Sequence, residues 1–159
     1  MAVADLIGAI VGVLLLVIVA YLLVGSTLTT AEIVTSAQRA AALQEQTQLR
    51  TDFTITNVNR VDDSVFNCTI NNTGKEIISD FGHMDVIVYD RDSKDYQLYT
   101  YSNVVKPGTW MIVNKSDEVI HLSELDPGES YRIEVTTSGI SPYWFQITTG
   151  NGVYASKFL

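Results

Sequence analysis

The residues best equipped for chemistry gather in one window, "INNTGKEIISDFGHMDVIVYD" from Ile70 to Asp90, where Lys75, Glu76, Asp80, His83 and Asp85 lie beside paired asparagines. If "MDVIVYD" is a strand, Val86 and Val88 share one face while Asp85, Ile87 and Tyr89 share the other, and His83 joins Asp85 on its side. That is the minimum for an acid–base or metal pair. A zinc site needs a larger ligand set, and the other histidine, His121, sits in a different expected strand without a ligand-spaced neighbour. The window reads instead as a turn, "NNTGK", with Asn72 or Gly74 supplying a positive φ and Lys75, Glu76 and Asp80 forming its solvated face. "DRDSKD" at 90–95 alternates carboxylates as a calcium loop does, yet lacks the Gly and the distal Glu, so it reads as a hydrophilic hairpin tip. There is no G-x-S-x-G, no Walker loop and no G-x-G-x-x-G. No catalytic, cofactor-binding or metal residue is assigned, and nothing in the chain looks like an enzyme.

The elements that would position these groups divide sharply along the chain. From Leu6 to Val24, "LIGAIVGVLLLVIVAYLLV" carries no charge. About 20 apolar residues at ~1.5 Å each cross a hydrocarbon core of roughly 30 Å, so this is a membrane span. A cleaved secretory signal would need a basic n-region, and Met1 to Asp5 has no Lys or Arg, although "VGSTLTTA" offers small residues for a peptidase. A retained anchor over 1–25 is the reading adopted. The following "GSTLTTAEIVTSAQRAAALQEQTQLR" is rich in helix formers and continues the helix as a stalk over 26–50. Ile33, Ala37, Ala40, Ala41 and Gln44 recur at spacings of three and four, a stripe of small residues that lets helices approach closely. Such a helix would be about 70 Å long and is marginal alone, which points to packing against copies of itself or a partner.

From Thr51 the texture turns to β-branched and aromatic alternation. Expected strands are "DFTITNV", "SVFNCTI", "MDVIVYD", "YQLYTYS", "TWMIVN", "EVIHL", "SYRIEVTT", "YWFQITT" and "GVYASKF". Pro-Gly at 107–108 and 127–128 suits turns with Pro first and Gly second at the centre. Strands at roughly 8–12 residue spacing without intervening helices indicate an all-β antiparallel sandwich over 51–159.

Composition excludes one class and locates another. With 18 acidic against 10 basic residues and a formal charge of −8, the chain lacks the basic footprint of a nucleic-acid binder. Cys68 is the only cysteine, so no intramolecular disulfide forms; it reads as a small, half-buried strand residue, with an intermolecular disulfide as the alternative. "NCT" at Asn67, "NNT" at Asn71 and "NKS" at Asn114 satisfy the N-glycosylation pattern and fall only in the β-rich part, which favours a head outside the cell. The charge rule disagrees mildly, since Arg39 on the head side is the basic residue nearest the anchor, but the N-terminal tail offers that rule little to count. Asp5, just before the apolar run, suits the exposed amides of a helix N-terminus; in a helical assembly it could also meet a neighbour's cationic amino terminus.

An uncleaved apolar helix, a polar helical extension and a β-domain containing "NTGKEIISDFGHMDVIVYD", "LDPGES" and "NGVYASKF" together resemble the archaellum accessory proteins of the FlaG and FlaF type, FlaG more than FlaF. The resemblance implies a type IV pilin-like architecture with an immunoglobulin-like sandwich, no cofactor, and a place in the static part of the rotary motor between cytoplasmic membrane and S-layer. It implies as partners a FlaF-like protein, an S-layer protein, or further copies joined through the N-terminal helix. Asp5 stands where pilin-like proteins carry a Glu, and the basic class III signal of an archaellin precursor is not present. The alternative is a structural subunit of a pilin-like filament, an archaellin or adhesive pilus, packed through Gly8, Gly12, Ala37 and Ala41.

Overall fold

The structure, a computed structural model, describes residues 2–115, 121 and 123–159. The chain divides into two compact units, residues 1–43 and residues 44–159.

Helix α1 runs Ala2–Arg50 without a break. Its apolar part is hydrophobic all round, the signature of a helix that meets lipid or other helices on every side. The Ser/Thr-rich stretch that follows is helical too, and its hydroxyls are satisfied by carbonyls one turn earlier, as mid-helix Thr side chains commonly are: Thr27 to Leu23 at 2.7 Å, Thr30 to Ser26 at 2.9 Å and Thr35 to Ala31 at 2.8 Å. Every described residue from 3 to 46 is exposed. Among the described residues, this one helix is long and apolar enough to cross a membrane.

The second unit holds eight strands: β1 Phe53–Arg60, β2 Val65–Asn72, β3 Asp85–Asp90, β4 Tyr96–Tyr101, β5 Thr109–Lys115, β6 Ser130–Thr136, β7 Pro142–Thr148 and β8 Tyr154–Phe158. Each matches an expected segment. The expected strand "EVIHL" lies, apart from His121, outside the described residues. Hydrogen bonding orders the strands β1-β2-β6-β5-β4-β3-β7-β8. All neighbours are antiparallel except β4 and β5, which run parallel for two residue pairs, Thr100 with Thr109 and Tyr101 with Trp110. This departs from the purely antiparallel expectation for a physical reason. The connection through Lys106-Pro107-Gly108 carries the chain from one half-sheet to the other, so the two strands meet at a short seam and not across a hairpin. Gly108 and Gly128 both have positive φ, 85° and 89°, as the Pro-Gly turns require.

The seam lets β1-β2-β6-β5 and β4-β3-β7-β8 fold face to face as a sandwich. β2 and β3 both alternate partly exposed and buried residues. Their inward side chains meet in one core, where the Phe66 and Phe145 rings lie 4.9 Å apart and the Trp110 indole N–H donates to the Met84 carbonyl at 3.3 Å. Cys68 belongs to this core with no exposed surface, and burial pushes its thiol pKa up to about 12. That removes the alternative of an intermolecular disulfide.

Candidate functional site

The opening window is built differently from its sequence reading. His83 is not on a strand with Asp85; it closes a short 3-10 turn, Phe81–His83, before β3 begins. Its Nδ1 lies 2.7 Å from Asp80 Oδ2, and that hydrogen bond, with the Asp80 charge, raises the imidazole pKa. Neither Asn72 nor Gly74 has positive φ. Gly74 is needed for close approach instead: a Cβ there would sit 2.4 Å from the Asp52 nitrogen and 2.6 Å from the Arg50 carbonyl oxygen. The Thr73 and Gly74 amides donate to the Asp52 carbonyl at 3.1 and 2.9 Å, and the Lys75 amide donates to the Arg50 carbonyl at 2.8 Å. Glu76, expected to be solvated, pairs with Arg50 at 3.2 Å. Asn72 is buried and fully bonded: its Nδ2 donates to the Glu76 and Leu125 carbonyls, both at 2.8 Å, and its Oδ1 accepts from the Gly74 amide at 3.0 Å. The window is therefore a clasp on the C-terminal end of α1, supplying a partner to the Arg50 carbonyl that the helix end leaves open and to the Asp52 carbonyl just beyond it.

Two further polar clusters follow the same logic. Asp90 heads the "DRDSKD" hairpin. Its Oδ2 accepts from the Ser93 hydroxyl at 2.6 Å, while its Oδ1 accepts from the Asp92 and Ser141 amides at 3.1 and 3.0 Å. The Ser93 hydrogen bond and these amides hold the carboxyl pKa down at about 2. His121, expected without ligand-spaced neighbours, has Glu124 and Asp126 beside it, with candidate ligand atoms all within 4.8 Å of one another. Its Nδ1 lies 2.9 Å from Asp126 Oδ2, which raises its pKa, and the H-x-x-E-x-D spacing that builds the cluster was present in the sequence. An N/O donor set of this kind could take a divalent cation; here His121 pairs with Asp126.

An exposed apolar feature lies on the outward face of β4-β3-β7-β8. Register places Tyr96 opposite Tyr89, Tyr89 opposite Trp144 and Trp144 opposite Phe158, a row of aromatic rings crossing four strands. The next row brings Leu98 opposite Ile87. Tyr89 and Tyr96 centroids are 5.0 Å apart, and Tyr96 meets Trp144 edge-on at 6.2 Å. A register shift between Tyr89 and Asp90 leaves Tyr143 without an opposite number on β3. Its ring lies 5.4 Å from Phe158 and 5.5 Å below the Arg91 guanidinium. Tyr96, Leu98 and Phe158 are 62%, 58% and 64% exposed. Contiguous exposed aromatics with an Arg at the margin are the composition of a protein–protein contact.

The outward face of β1-β2-β6-β5 is polar. Asn67 and Asn71 alternate with buried Phe66, Cys68 and Ile70 and so point outward from β2; Asn71 Nδ2 also donates to the Thr56 hydroxyl at 3.0 Å. Asn114 is exposed in β5, opposite Arg132. On α1, Asp5 lies in the first turn, and the positions of Gly8 and Gly12 have nothing within 4 Å of an added Cβ. Ala37 and Ala41 are exposed one turn apart.

The sandwich has the fold of solved archaellum proteins. The archaellum periplasmic stator protein FlaG from Sulfolobus acidocaldarius matches with a TM-score of 0.54 at 20% identity, over 69% of this chain and 99% of that one. A chain of the archaellum periplasmic stator protein complex FlaF and FlaG from the same organism matches with a TM-score of 0.53 at 20% identity, over 67% and 87%. No protein-family model matches the sequence, and no curated protein matches it. The resemblance expected from the sequence is met in the fold.

Proposed function

We propose that this chain is a non-enzymatic, membrane-anchored component of an archaellum motor, holding it between the cytoplasmic membrane and the S-layer for swimming motility. The observation that carries the reading is the pairing of one exposed apolar helix with a sandwich that matches a solved archaellum stator protein over 99% of that protein's length. The helix spans the membrane once, with the β-domain outside. The aromatic face around Trp144 docks a second pilin-like β-domain of the FlaF kind, and β8, last in the strand order, offers that partner a sheet edge. Contact with an S-layer protein is made through this partner or beside it. Gly8, Gly12, Ala37 and Ala41 pack α1 against copies of itself, and Asp5 meets a neighbouring amino terminus.

The uncovered, small-residue helix also suits a pilin-like filament subunit. Counting copies per cell and imaging purified filaments separate the two roles. A few copies per motor with loss of swimming on deletion is the expected result; a chain that makes up the bulk of long external fibres rules out anchoring as its principal task. Ala37→Glu with Ala41→Glu should impair assembly while leaving the sandwich folded, and unimpaired assembly would remove the stripe from the account.

A further inference from the structure

All acceptor asparagines of the sequons project from one side of the sandwich, and one of them does so only because of a local irregularity. Asn67 and Asn71 are outward residues of β2, set opposite Glu134 and Ser130 of β6. Asn114 would face the core if β5 kept regular register with β6, since Ile112 opposite buried Ile133 would place Asn114 opposite buried Tyr131. The register shift between Ile112 and Asn114 sets Asn114 opposite the exposed Arg132 instead. Arg132 in turn pairs with Thr69, the hydroxyl residue of the Asn67 sequon, so the acceptors surround one patch of one face. Thr69 is partly exposed and Thr73 exposed; Ser116 of the last sequon lies outside the described residues.

We infer that the outward face of β1-β2-β6-β5 is an N-glycan face, carrying oligosaccharide on Asn67, Asn71 and Asn114. The donor is an oligosaccharide linked through phosphate to a membrane lipid, and the transfer is a substitution at its anomeric carbon. The Asn Nδ2–C1 bond forms, the C1–O bond to phosphate breaks, the lipid phosphate leaves, and one amide proton passes to solvent. The remaining amide N–H still serves the bond from Asn71 to Thr56. Hydrated sugar then covers the polar face and leaves the aromatic face of β4-β3-β7-β8 open for protein contact. This inference rests on the outward topology proposed above.

The test is glycopeptide mass spectrometry on the full chain purified from the cells that make it, with protease shaving of cells stripped of their S-layer in parallel. The expected result is a head cleaved from outside, a glycan mass on each of the three peptides, and loss of one glycan increment in each of Asn67→Gln, Asn71→Gln and Asn114→Gln. Thr69→Ala should remove the glycan at Asn67 while keeping the asparagine, which separates loss of modification from a folding defect. A head cleaved from outside whose three peptides all run at unmodified mass overturns the glycan face and leaves the motor role standing. A head protected from the protease overturns the outward topology and this inference with it.

Discussion

The two outward faces of the sandwich enclose the same core yet are built from opposite chemistry. On the outward side of β1-β2-β6-β5 the side chains are mostly Thr, Asn, Arg and Glu, with Met111 and Val113 of β5 the apolar exceptions, and such polar groups hold water well and make little contact energy when desolvated. On the outward side of β4-β3-β7-β8, Tyr, Trp, Phe, Leu and Ile gather at one end, where removal from water is favourable and the rings already brace one another, while Asp85, Thr100, Gln146, Thr148 and Ser156 hold the other. Inward residues of both half-sheets form the one core, and the outward residues add cross-strand contacts of different chemistry on each side.

The strongest test of that contrast is steric. Cys68 is buried and its thiol pKa is pushed up to about 12, so a cysteine introduced at the surface is labelled selectively. Gln146→Cys, beside the aromatic row, coupled to a polymer maleimide should abolish capture of a purified FlaF-type partner by the full chain in micelles. Asn67→Cys treated the same way should leave capture intact, and equal loss at both positions would erase the distinction between faces.

Phe66→Ala tests what the faces share. Phe66 packs on Phe145 across the halves, so its loss should cost about 3–5 kcal/mol in denaturant unfolding and weaken both faces together. Trp144→Ala is narrower. It should weaken partner binding by about 2 kcal/mol, roughly 30-fold in Kd, with little change in thermal stability. Arg132→Ala on the opposite face should change partner binding, measured by titration calorimetry, by less than ~0.5 kcal/mol.

The smallest effect concerns pH. Asp90 has a folded pKa near 2, below the ordinary 3.8, so the native state binds its proton later than the unfolded chain does. Its stabilisation is present above the ordinary value and fades as pH falls from about 4 towards 2. Across that window Tm of the wild-type chain should fall more steeply than Tm of Asp90→Asn. Identical slopes would show that the hairpin beside the aromatic row does not depend on that carboxylate.

Much of this was readable in sequence because local pattern encodes it. Alternation marked β1 through β8, the charge-free run marked α1, and Pro-Gly fixed the turns at Gly108 and Gly128. The aromatic face was not readable, because Tyr89, Tyr96, Trp144 and Phe158 come from four strands and become neighbours only through register. The shared face of Asn67, Asn71 and Asn114 was hidden for the same reason, and further by a one-residue shift that flips a side chain from one side to the other. Gly74 looked like a φ requirement, and is one of space, since the backbone it touches lies more than twenty positions earlier in the chain.

That crowding at Gly74 has a mechanical meaning. Between Arg50 and Phe53 lie only Thr51 and Asp52, and the segment from Thr73 to Glu76 straps that junction with backbone amide hydrogen bonds and an ion pair. Asn151 adds a second strap, its Nδ2 donating to the Thr51 hydroxyl at 2.7 Å. A pull between the last turn of α1 and β1 is therefore shared by several hydrogen bonds and an ion pair in parallel and is not left to the backbone of two residues. That last turn, like the helix from Gln44 on, belongs to the same compact unit as the sandwich.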